Sequence, residues 1–151
     1  MLLYEAGEAL RFNEVAIRIG VRGVLSVMKH LGMTANKKVR MSRVTPEVAR
    51  ESHWLRAPAG GILRTFSDLG ESVAAGQVLA AVSDPFGESE VEVEARSDGI
   101  IIGRTHLPVV NQGDALFHVA SVEDHERSGG RIERLEREIE QDPFFEEEDI
   151  V

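Results

Sequence analysis

The sequence predicts a mainly β fold with flanking helices. One pattern that occurs twice and one helical periodicity carry that prediction. Val73–Val82 and Val110–Val119 both read V-x-x-G-x-x-L-x-x-V. Upstream of each lies a second matched pair, Ala59-Gly60-Gly61-Ile62 and Ser97-Asp98-Gly99-Ile100. Short β-prone runs broken by glycine turns are the signature of strands. A pattern that returns within one domain marks two halves built alike. Gly61 precedes Val73 by 12 residues and Gly99 precedes Val110 by 11, so the halves are offset by one. Two such halves can lie face to face as a flattened barrel, each covering the apolar face of the other.

The elements follow in order. Residues 2–12, LLYEAGEALRF, open with an apolar run, Leu2-Leu3-Tyr4, which reads as a short strand. It enters Glu5-Ala6-Gly7-Glu8 directly. Taken alone, Glu5 is a solvated acid beside Glu8 or a carboxylate at the end of a buried strand. Residues 13–31 read as a helix, with Asn13 as N-cap and Glu14 in the first turn. Ile17, Val21, Val24, Leu25, Met28 and Leu31 keep its apolar stripe. Gly20 and Gly23 weaken it by about 1 kcal/mol each relative to alanine and leave room for a close neighbour. Gly32 is its stop. TANKKVRMSRVTPE follows, a basic connector or exposed strand.

Residues 53–120 form the β unit. Trp54 reads as a plug for its core, His118 as a strand residue, and Asp84-Pro85-Phe86-Gly87 as a turn. From Ser128 a Ser-Gly-Gly break precedes a short helix with Ile132, Leu135 and Ile139 at helical spacing. Arg134/Glu138 form an i, i+4 pair on it, and Pro143 ends it. The domain organisation is therefore residues 1–36 (strand plus helix), 37–52 (connector), 53–120 (β domain) and 121–151 (acidic tail).

Charge and composition exclude several classes. Net charge is −9, of which Ser121–Val151 contributes −8, from 12 acidic residues and 4 arginines. This argues against nucleic acid as a partner. No apolar run approaches the roughly 20 residues a membrane helix needs. There is no cysteine, so there is no disulfide, thiolate metal site or thiol nucleophile. With no basic leader before an apolar run, a cytoplasmic location is expected. An exposed edge at Leu2–Tyr4 would offer a route to a homo-oligomer.

APAGGIL, GESVAAGQVLAAV, ARSDGII and VVNQGDALFHV resemble the lipoyl/biotinyl-type barrel-sandwich hybrid, which implies an internal pseudo-twofold repeat. A carrier of that type needs a lysine at the tip between its halves. Here the tip is SDPFGESE, and the three lysines, Lys29, Lys37 and Lys38, all precede the barrel. Covalent biotin or lipoate attachment at the tip is excluded.

The order YEAGEALRF, a helix ending in LGM, a basic connector and then the β unit resembles the C-terminal portion of the succinylglutamate desuccinylase/aspartoacylase family over residues 2–120. The resemblance implies a zinc-dependent deacylase acting on the amide bond of a small N-acyl amino acid. Residues 1–36 would then be the remnant of a carboxypeptidase A-like α/β catalytic domain. Glu5, in Glu5-Ala6-Gly7, would be the catalytic general base toward zinc-bound water and then the proton donor to the leaving amine. The family holds zinc with H-x-x-E and a later histidine. His30, His53, His106, His118 and His125 none of them start H-x-x-E. The expectation is a fragment with no metal site and no activity of its own, its zinc ligands lying upstream. The alternative is a non-catalytic lipoyl-like structural or assembly module.

Overall fold

The computed structural model describes residues 1–33 and 48–141. Among these, residues 48–133 form one unit, and residues 1–33 with 134–141 form another. The Pro143 stop, the closing FFEEEDIV and the basic connector over 34–47 lie outside the described residues. No helix among the described residues is long and apolar enough to cross a membrane.

The first unit is built from eight strands: β1 (Glu51–Arg56), β2 (Gly61–Thr65), β3 (Ser72–Val73), β4 (Val78–Ser83), β5 (Glu90–Glu94), β6 (Gly99–Arg104), β7 (Val109–Val110) and β8 (Ala115–Ser121). They form two antiparallel four-stranded sheets. Sheet A runs β1-β8-β6-β3 and sheet B runs β5-β4-β2-β7. The apolar positions of the repeated pattern explain the core. Val73, Leu79 and Val82 from one copy and Val110, Leu116 and Val119 from the other are all buried, joined by Phe117, Ile101 and Leu55. Burying a side chain of this size is worth about 1.5–3 kcal/mol.

The two copies also close their turns in the same way. The Ala74 amide donates to Gln77 Oε1 (3.0 Å), and the Asn111 amide donates to Asp114 Oδ2 (2.7 Å). Gly76 and Gly113 both take positive φ, +80° and +89°, a conformation that costs glycine little. The Gly76 amide donates to Ala95 O and the Gly113 amide to Ala57 O, at 2.8 and 2.9 Å. The one-residue offset is a net difference. The β2–β3 loop is longer than the β6–β7 loop, and the Ile102 bulge in β6, which β2 lacks, makes up part of that length. Arg104 holds that longer loop, reaching Asp68 Oδ1 at 2.6 Å and donating to Ser67 O at 3.0 Å.

Gly61 and Gly99 occupy matched positions at the starts of β2 and β6, where each strand lies close on the end of its neighbour in the same sheet. A Cβ on Gly61 would collide with Ser83 O, and one on Gly99 with Ala120 O. The neighbouring atom is backbone in both cases and cannot step aside.

α1 (Glu14–His30) begins and ends where the sequence predicts. The Ala16 amide donates to Asn13 Oδ1 at 2.9 Å. At the other end Gly32 takes φ +70°. Its amide donates to Lys29 O and the Met33 amide to Met28 O, at 3.1 and 2.9 Å, the paired bonds of a Schellman cap. No residue of α1 is buried.

Three expectations are corrected. Leu2-Leu3-Tyr4 forms no strand. A strand needs a ladder partner, and none of the described strands pairs with it. The Ser-Gly-Gly break does not occur either. α2 (His125–Glu140) runs straight through residues 128–130. Gly129 is there for approach: a Cβ on it would lie 2.9 Å from the Ser72 Cβ of β3. Ser128 is buried beside it, and Ile132 lies against Gly70. Tertiary packing outweighs the roughly 1 kcal/mol per glycine lost in helix propensity. Trp54, finally, is no core plug. It stands on the outer face of sheet A, stacked on His118 with ring centroids 4.5 Å apart.

Gly99→Ala is expected to destabilise the chain by about 1–3 kcal/mol or more through overpacking. Gly113→Ala meets no atom within 4 Å and carries only the left-handed backbone penalty of about 1–2 kcal/mol. Urea unfolding followed by Trp54 fluorescence measures both. An equal, small effect at the two positions would contradict the close approach at Gly99.

Candidate functional site

Glu5 lies on a segment tied at two points to the start of α1. On one side, the Tyr4 hydroxyl donates to Ala16 O at 2.7 Å, and the Tyr4 ring lies over Gly20. A Cβ on Gly20 would come within 3.0 Å of that ring, so Gly20 is the close-approach point its residue type suggests. On the other side, Gly7 turns the chain at φ +81°, and its α-carbon faces the Cβ atoms of Asn13 and Ala16. The Glu-x-Gly spacing thus places Glu5 between an aromatic anchor and a glycine turn.

Its side chain is exposed and makes no hydrogen bond or ion pair among the described residues. Glu8, the other acid of the motif, is instead paired with Arg11 at 3.3 Å. Leu10 takes a positive φ of +67°, a left-handed conformation uncommon outside glycine, asparagine and aspartate.

The donor set does not fit zinc. Among the described residues no three His, Cys, Asp or Glu side chains gather where a metal could sit. His53 carries a buried Nε2 without a partner, but as a lone imidazole it offers one ligand where a catalytic zinc takes three. His118 Nε2 lies 2.9 Å from Ser52 Oγ and its ring is taken by Trp54. Glu71, Glu126 and Glu133 line an open acidic recess beside Gly129 and Gly130.

One organised feature escapes a search for catalytic residue types. In the loop between β4 and β5, the Asp84 carboxylate accepts from the Ser89 hydroxyl (2.7 Å) and from the amides of Phe86, Glu88 and Ser89. Led by the Ser89 hydroxyl, these bonds hold the Asp84 pKa down at about 2. The loop so fixed carries Phe86 almost fully into solvent. The Asp-Pro-Phe-Gly signature signals the turn, but the four-donor carboxylate depends on Ser89 coming back to meet it.

Comparison with solved structures bears on the identity of this arrangement. The chain matches a succinylglutamate desuccinylase/aspartoacylase from Rhodobacter sphaeroides at 27% identity and a TM-score of 0.63. The match covers 74% of this chain and 37% of that one. The chain resembles a C-terminal part of the succinylglutamate desuccinylase/aspartoacylase family. A succinylglutamate desuccinylase from a Silicibacter species matches at 25% identity and a TM-score of 0.61, over 75% of this chain and 35% of that one. The ectoine utilization protein EutE (DoeB) from Ruegeria pomeroyi, solved with product bound, shares the fold at 23% identity and a TM-score of 0.63, over 73% and 34%. The chain therefore spans about a third of the length of each of these three structures. No family model and no curated protein matches it.

The Asp84 carboxyl should titrate near pH 2 rather than at its ordinary 3.8. Because the folded value is depressed, the stability it confers is present above the unfolded value and is lost as pH falls from 3.8 toward about 2. A carboxyl-carbon NMR titration reads the midpoint. An ordinary midpoint would mean that the four donors do not hold the loop in solution.

Proposed function

We propose that this chain is the C-terminal part of a zinc-dependent hydrolase that cleaves the amide bond of an N-acyl amino acid or a similar small acyl amide. The observation that carries this reading is Glu5-Ala6-Gly7, anchored on α1, in a chain that matches desuccinylase/aspartoacylase structures over 74% of its length. In this reading Glu5 is the general base toward the attacking water and then the proton donor to the leaving amine. A carboxylate suits both, since it can take and return one proton in a turnover. Zinc would be held by residues outside this chain and would supply Lewis-acid polarisation of the scissile carbonyl. The chain alone would be inactive, and its site would be cytoplasmic and would take a small molecule.

The β unit is, on the same reading, a lipoyl-like barrel-sandwich hybrid with a pseudo-twofold repeat. The strand orders support this. Exchanging β1 with β5, β2 with β6, β3 with β7 and β4 with β8 converts the order of sheet A into that of sheet B. The matched turns and the matched close approaches at Gly61 and Gly99 support it too. With no lysine at 84–89 the hybrid is not a carrier. A second reading, a non-catalytic assembly module, is favoured by Phe86 standing on the locked tip.

In a polypeptide that carries both this chain and the zinc ligands, Glu5→Gln should lower kcat for amide hydrolysis by about 10²–10⁴, the usual worth of a positioned general base. Zinc content, measured in parallel, should stay unchanged. Near wild-type kcat with zinc retained would remove Glu5 from the reaction and favour the assembly module.

A further inference from the structure

The β unit is two halves, neither of which is complete without the other. Residues 51–83 carry β1 to β4, and residues 90–121 carry β5 to β8. Among the described residues, β2 with β4 and β6 with β8 pair within a half. The other pairings, β1 with β8, β2 with β7, β3 with β6 and β4 with β5, all join one half to the other. The core is shared in the same way, Val73, Leu79 and Val82 coming from one half and Leu116, Phe117 and Val119 from the other. α2, which follows β8, adds Gly129 against Ser72 of β3. Two paired strands with half a core are marginal in water. Yet none of these contacts depends on both halves belonging to one chain. Only residues 84–89, the covalent link between the halves, decide that.

That link is held shut by bonds among its own residues. The Asp84 carboxylate accepts from the amides of Phe86, Glu88 and Ser89 and from the Ser89 hydroxyl. The Asp84 amide donates to Ser89 O at 3.0 Å, and Gly87 turns the chain at φ +74°. Without this clasp the segment is inclined to run straight at its start, because a residue before proline favours the extended region. We propose that residues 84–89 are a hinge through which two copies of this chain exchange halves, and that the Asp84 clasp is the lock that keeps each copy closed. Opening the hinge breaks the local bonds, while every pairing between halves is remade with the second copy. Exchange is a low-cost route to a dimer for that reason. Straightened, residues 84–89 span about 20 Å, enough to carry the chain from one lobe to the next. Phe86 suits the second state. It is 87% exposed on the closed tip, and in the exchanged dimer the two links run side by side, where each Phe86 has the other copy to cover it. Exchange involves neither Glu5 nor zinc, so it stands or falls apart from the hydrolase reading.

The chain has no cysteine, so an introduced pair reports which copy supplies each half. Ser83 and Glu90 face each other across β4 and β5. With Ser83→Cys and Glu90→Cys, a disulfide should form within one chain when the hinge is closed and between two chains when halves are exchanged. The full chain with this pair, with and without Asp84→Ala, is unfolded in urea and refolded at about 500 μM, where a second copy competes with closure. It is then diluted to about 5 μM, oxidised and run on a non-reducing gel; exchanged dimers survive the dilution because reversal requires unfolding. With Asp84 in place the bond should form within chains. Asp84→Ala should raise the yield of covalent dimer by at least about tenfold, with an unchanged far-UV circular dichroism spectrum. Asp84→Asn, of the same shape without the charge, should act in the same direction. Asp84 variants whose disulfides form only within chains overturn the proposal, whether they stay monomeric or associate by another route such as residues 2–4. An equal yield of covalent dimer with and without Asp84 overturns it too, since the clasp would then be no lock.

Discussion

The β unit depends on two places where neighbouring strands leave no room for a side chain. At Gly61 the start of β2 lies close on the end of β4, and at Gly99 the start of β6 lies close on the end of β8. Both are contacts between neighbours within one sheet, and each sheet takes strands from both halves of the sequence. A side chain at either point would push the two neighbouring strands apart and open the interior filled by Phe117, Leu79 and Leu116. Packing at native density tolerates no such gap, because each methylene lost from contact costs on the order of 1 kcal/mol. The matched turns at Gly76 and Gly113 feed β4 and β8, the strands against which Gly61 and Gly99 lie. In each, a positive-φ glycine with a side-chain clasp reverses the chain in four residues.

Edges and outer faces are treated differently in the two sheets. β5 is an edge strand that alternates Glu with Val, the glutamates turned outward. A row of like charges discourages another strand from adding there. β1, the edge of sheet A, carries Trp54 over His118, with the indole reaching above Gly103. That stack covers the part of sheet A beside the row under α2. The corresponding part of sheet B has Arg64, Ala81 and Glu92 in register, where long charged side chains shield the alanine. Side chains alone therefore distinguish the two outer faces, an aromatic stack on sheet A and a charged pair over Ala81 on sheet B.

What was legible in the sequence was what local chemistry decides. Asn13 and Gly32 bound α1 because a side-chain acceptor and a left-handed glycine satisfy the helix ends without help from elsewhere. The V-x-x-G-x-x-L-x-x-V turns were legible for the same reason. What tertiary partners decide was not. Gly129 and Gly130 read as a break because an isolated helix disfavours glycine, and the contact with Ser72 that outweighs this local preference lies 57 residues away in the chain. Leu2–Tyr4 read as a strand because its residues favour one, but a strand exists only when paired. Trp54 read as core because of its size, and its place outside follows from alternation along β1, with Leu55 taking the buried side.

The candidate site shows the same division. Glu5-Ala6-Gly7 was legible as a motif, and the structure supplies what a motif cannot: Tyr4 on Ala16 and Gly20, and Gly7 against Asn13 and Ala16, both on the first turns of α1. A proton-transfer group must be held within hydrogen-bond reach of the atom it serves, so a fixed backbone on either side is the first requirement. A second is a surround that keeps bulk water from competing and tunes the carboxyl, and this Glu5 lacks, since its side chain is exposed. Leu2 and Leu3 beside it are exposed as well, apolar side chains whose burial against further protein would dry the carboxylate at the same time. Among the described residues the segment thus has the first of these requirements, the fixed backbone, and not the second.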